Sequence, residues 1–79
     1  MSKFKLRQKV KIINLYPYSN TTGTIVSISS LKLDYYYYYY HVHLDEKFHK
    51  KFEDDGYDLT PIILEKCLVL ANGSLIANE

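Results

Sequence analysis

The chain has 79 residues, 47% of them hydrophobic and 24% charged, a globular composition with room for one domain over residues 1–79. A domain this small buries only about 60% of the surface its unfolded chain exposes, too little to wall a deep catalytic cavity beside a full core. An elaborate enzyme is not expected on those grounds, and the net charge of +1 by itself predicts neither nucleic-acid binding nor attraction to a membrane.

The charge is unevenly distributed. Residues 1–33 hold Lys3, Lys5, Arg7, Lys9, Lys11 and Lys32 with no acid, while residues 34–79 hold all nine acids and four lysines. These segments are internal partners if they face each other in the fold, and a steering field if they do not. Cys67 is the only cysteine, so an intrachain disulfide framework is ruled out and a reducing compartment, the cytoplasm or a plastid stroma, is expected. Near the N-terminus charge interleaves with apolar residues, without the apolar stretch of a signal peptide or a membrane span.

In chain order, Lys9-Val10-Lys11-Ile12-Ile13-Asn14-Leu15 alternates apolar with polar residues, the period of a half-buried first strand. Tyr16 to Gly23 is rich in turn formers and contains Pro17, which reads as a loop. Thr24 to Ser29 is almost wholly β-branched and predicts the second strand. Its inward set is ambiguous: Thr24, Val26 and Ile28 fit strict alternation, whereas Ile25 and Ile28 fit a bulged strand.

Tyr35 to Leu44 predicts the third strand, and its register is set at the far end. With Val42 and Leu44 inward, Tyr40 and Tyr38 also point inward, as does Tyr36 if the core extends that far. Tyr35, Tyr37, Tyr39, His41 and His43 then share the outer face. A slip by one residue would bury two histidines and an aspartate, at a cost far above the tyrosine difference. Residues 45–58 are charged, with Phe48 and Phe52 spaced i,i+4 and Asp54-Asp55-Gly56 as a turn signal, which fits either a helical turn or a hairpin arm. Thr60-Pro61 reads as the start of a short 3₁₀ turn, Cys67 to Leu70 as the closing strand, and Asn72-Gly73 as a turn before a loosely held tail to Glu79. The expected core is Val10, Ile12, Ile28, Tyr38, Tyr40, Val42, Leu44, Leu64, Leu68 and Leu70.

Three pieces, Lys9 to Ile13, Gly23 to Ile28 and Leu64 to Leu70, together resemble the SH3-like small-barrel superfold over roughly residues 5–70. The resemblance implies an all-β, five-stranded SH3-like barrel with a short 3₁₀ turn before the last strand. Two features depart from the pattern: Arg7-Gln8 stands where a glycine often precedes the first strand, and residues 45–58 are longer than a plain hairpin. Gly23 to Ile28 is similar to KOW-type modules. The order of the whole chain is similar to the small barrel subunits of photosystem I and of ferredoxin–thioredoxin reductase, which implies docking of a protein partner and no chemistry of the barrel's own.

The outer stripe Tyr35, Tyr37, Tyr39, His41, His43 is the main candidate site, because tyrosine offers large contact area at low rotamer cost. The competing reading is coverage by residues 45–58. His41-x-His43 with His49 or Cys67 makes a poor zinc match, so no metal site and no cofactor are expected. Cys67 reads as a small core residue and Asp54-Asp55 as a solvated turn. Lys3, Lys5, Arg7, Lys9 and Lys11 form a basic stripe if the segment is extended, which would serve single-stranded nucleic acid, or else a lysine-guarded edge strand. The expected function is a non-catalytic protein-binding module, through a partner or self-association at the tyrosine strand and with no membrane role. The alternative is a nucleic-acid-binding barrel using the basic N-terminal strand.

Overall fold

A computed structural model describes residues 2–71. Five strands, β1 (Lys9–Ile12), β2 (Thr22–Lys32), β3 (Tyr36–Leu44), β4 (Ile62–Leu64) and β5 (Leu68–Leu70), form one antiparallel sheet in the order β4-β3-β2-β1-β5. A 3₁₀ turn at Glu65–Cys67 leads into the last strand, giving an all-β, SH3-like arrangement left open between β4 and β5. A 3₁₀ turn at Glu46–Phe48 runs into a short helix, α1 (His49–Asp54).

Val10 and Ile12 face the core and are fully buried, as the alternation requires. β1 stops at Ile12, short of the expected Leu15. Beyond it the Ile13 N–H donates to the Cys67 carbonyl at 2.9 Å, and Asn14 takes a left-handed φ of 54°. The Tyr16–Gly23 loop supplies a core residue absent from the expected set: Tyr18 is buried, stacks on Phe52 at 5.1 Å and donates its hydroxyl to the Asp58 carbonyl at 2.7 Å. Burial, then the negative charge of Asp58, raises the Tyr18 pKa.

β2 starts earlier and ends later than the expected 24–29. Its ladder with β3 is interrupted between Ile25 and Ser27, and the extra residue there, Val26, is exposed while Ile25 is fully buried. The bulged reading therefore holds and strict alternation does not. Gly23 lies opposite Leu44 where the two strands cross closely; a Cβ there would sit 2.5 Å from the His43 carbonyl oxygen. In β3 the register is the one set by Val42 and Leu44, with Tyr40, Val42 and Leu44 buried; Tyr38 packs at the margin and Tyr36 is exposed.

Residues 45–58 resolve to the helical alternative. Phe52 points into the core from α1, and Gly56, with φ of 83°, turns the chain out after the last helical residues. Thr60-Pro61 does not open the 3₁₀ turn: the Thr60 N–H donates to Asp58 Oδ1 at 2.9 Å, and Pro61 leads into β4. Within β4 the inward residue is Ile63, not Leu64, because Ile63 lies opposite inward Tyr40 and Leu64 opposite outward Tyr39. The core expectation is thus corrected at Leu64; Ile28, Tyr38 and Leu70 are only partly buried, while Phe4, Tyr18, Ile25, Phe52 and Ile63 were missed. Fully burying each aliphatic side chain among these stabilises the fold by about 1.5–3 kcal/mol. Asn72-Gly73 and the tail after it lie outside the described residues.

Candidate docking face on the outer side of the sheet

Antiparallel partners share a side of the sheet, so the register assembles the outer face directly. Along β3 it carries Tyr37, Tyr39, His41 and His43. Across from them β2 contributes Leu31, Ser29, Ser27 and Thr24, and β4 contributes Leu64 and Ile62 opposite Tyr39 and His41. Beyond Ser29 and Tyr39 the β2–β3 pair projects as a two-stranded ribbon, since β1 pairs with β2 only at Thr22–Thr24 and β4 with β3 only at Tyr39–His41.

The five predicted site residues do not share one environment. Tyr35 and Tyr37, 61% and 36% exposed, pack their rings together at 4.8 Å near the ribbon tip. The Tyr37 hydroxyl has its pKa raised, chiefly by the side chain of Tyr35. Tyr39 and His41 are half-buried between β2 and β4. His43 is exposed but engaged: its Nδ1 is 2.8 Å from Thr60 Oγ1, and the His49 ring meets it edge-on at 5.1 Å. Coverage by residues 45–58 therefore reaches the His43 end through His49.

Sequence reasoning missed three members of this face. Leu31, Ile62 and Leu64 are 46%, 62% and 44% exposed beside the tyrosines. Leu31 had no local signal, because Ser29-Ser30-Leu31-Lys32 holds one apolar residue and no alternation to mark its side; its pairing with Tyr37 decides it. Ile62-Ile63-Leu64 is three apolar residues in a row, and no alternation within it tells inside from outside. A cavity of about 280 Å³, lined by Tyr36, Tyr37, Tyr38, Leu64, Glu65 and Lys66, opens where β4 leaves β3.

The basic stripe is not formed as an extended strand. Gln8 N–H closes a turn onto the Lys5 carbonyl at 3.2 Å and Arg7 has φ of 70°, which separates Lys3 and Lys5 from Lys9 and Lys11 on β1. Lys9 pairs with Asp45, which also accepts from the Thr22 hydroxyl at 2.5 Å. Burial pushes the Asp45 pKa up, but the hydrogen bonds from Lys9 and Thr22 and the charges of Lys9 and Lys47 outweigh it and hold the carboxyl below its ordinary value.

On the inward side of the sheet, Tyr40 is a buried anchor. Its hydroxyl donates to Glu65 Oε2 at 2.5 Å and accepts from the N–H groups of Lys3 at 3.1 Å and Phe4 at 3.3 Å. Burial and the Glu65 hydrogen bond raise its pKa.

Cys67 is buried in the core. Among the described residues no group of three or more His, Cys, Asp or Glu is placed to hold a metal ion, and no helix is long and apolar enough to cross a membrane. No protein-family model, curated protein or solved structure matches the chain.

Proposed function

We propose that the chain is a non-catalytic protein-binding module that docks through the outer face of the β2–β3 ribbon and β4. The observation that carries this reading is the run of exposed Leu31, Tyr35, Tyr37, Ile62 and Leu64, contributed by β2, β3 and β4 and, for Tyr35, by the tip loop that joins β2 to β3. Such a surface gains free energy on leaving water, and the rigid ladder beneath it keeps the ordering cost of docking low. The side chains with most chemistry serve the fold: Cys67 fills core space, and His49 Nε2 is bonded to the Leu44 carbonyl at 2.7 Å. A reducing compartment, cytoplasm or plastid stroma, suits the buried thiol. The nucleic-acid alternative has less support, because its lysines are divided by the Lys5–Gln8 turn and Lys9 is already paired.

The test places a photo-crosslinking phenylalanine derivative at position 37 or 62, with position 50 on α1 as the control, in the cells that carry the gene. Protein adducts at 37 and 62 above the control are expected. Adducts equal to the control at both positions overturn the docking reading, and nucleic-acid adducts there favour the alternative.

A further inference from the structure

We infer that the occupant of this face is a second copy of the chain, packed face to face about a two-fold axis; the inference rests on the docking reading above. The first argument is electrostatic. A two-fold interface opposes a patch to itself, so any net charge on it repels its own image. This patch, Leu31, Tyr35, Tyr37, Tyr39, Ile62 and Leu64, carries no formal charge, in a chain that is one-quarter charged. Formal charges begin only at its border, with Asp34 at the ribbon tip and Glu65-Lys66 past Leu64. A strongly acidic or basic partner would find nothing to pair with, whereas an identical patch meets no repulsion.

The second argument is area. The exposed fractions of Leu31, Tyr35, Tyr37, Ile62 and Leu64 correspond to roughly 500 Å² of mostly apolar surface, given that a large aromatic side chain presents about 150–250 Å². That is at the upper end for a patch on a monomer. Two such patches face to face would bury about 1,000 Å² in total, the threshold of a specific interface and the size of a weak, reversible dimer. The tyrosine hydroxyls and the serines beside them, Ser27 and Ser29, provide the polar remainder.

The experiment is sedimentation velocity on the full chain across a concentration series, with wild type, Tyr37→Lys, Tyr37→Glu and Ile62→Lys, each checked for unchanged far-UV circular dichroism. Wild type is expected to reach twice the chain mass. Each single variant should weaken self-association at least tenfold, since it places an unpaired charge in an apolar contact.

A wild type that stays monomeric throughout overturns the inference, as does a dimer insensitive to both the position-37 and the position-62 variants. A monomeric wild type whose crosslinker at position 37 still captures a different protein overturns the second copy alone, while loss of both signals overturns the docking reading with it.

Discussion

Gly23 shows how one absent side chain fixes the crossing of two strands. With a Cβ built there, the His43 carbonyl oxygen and Val42 Cγ1 would lie 2.5 and 2.8 Å away, so β2 and β3 would have to separate where the core is tightest. Gly23→Ala is expected to cost about 1–3 kcal/mol or more, read from the shift of the denaturation midpoint at unchanged slope. Tyr40→Phe removes the acceptor of the buried Phe4 N–H and the donor to Glu65; a loss of about 1–2 kcal/mol is expected, together with faster amide exchange at Lys3 and Phe4. Asp45 makes stability depend on pH. Its folded pKa lies below the unfolded value of about 3.9, so its contribution is present above that pH and is lost as pH falls through the folded pKa. Asp45→Asn should lower stability at neutral pH and flatten the acid limb of a stability–pH curve; an unchanged acid limb would assign it to other carboxylates.

At the scale of elements, legibility followed the strength of local pattern. β3 was readable because Val42 and Leu44 fix parity at one end and a slip would bury histidines. β4 was not, because Ile62-Ile63-Leu64 has no polar residue to mark its outward side; only pairing with Tyr39 and Tyr40, distant in sequence, decides it. Tyr18 was unreadable for a related reason: a turn-rich loop gives no period, and its burial depends on Phe52, which arrives from α1.

The candidate face was half legible, its β3 stripe from alternation and its β2 and β4 borders only from topology. Because the ribbon beyond Ser29 and Tyr39 gives the core only Tyr38, at its margin, it is separable. Replacing residues 30–38 by Asn-Gly, a two-residue turn suited to joining antiparallel strands, should cost no more than about 2 kcal/mol in chemical denaturation. It should also abolish association through the outer face. A shortened chain that fails to fold would show the ribbon to be part of the cooperative unit.

For the whole molecule, the outer side of the sheet divides into two ends. Around β1 it is cationic and polar, with Lys9, Lys11, Thr22 and Thr24; along the ribbon and β4 it is uncharged and apolar. The opposed charges of the two halves of the sequence meet in part within the fold, Lys9 on Asp45, so the basic N-terminal segment is not wholly available for outside partners. The six-tyrosine run has a further consequence, which concerns length. Its register is held from one end by Val42 and Leu44, and its other end closes on the loop between Lys32 and Tyr36. Gaining or losing one tyrosine therefore leaves a tyrosine at each of positions 36–40 of β3 and passes the change to the loop at the tip, where a loss puts Asp34 in the place of Tyr35. A chain with one tyrosine deleted should unfold within about 0.5–1 kcal/mol of the parent, whereas deletion of Val42 should abolish folding. Repetition here makes the strand tolerant of the very copying errors that repetition invites.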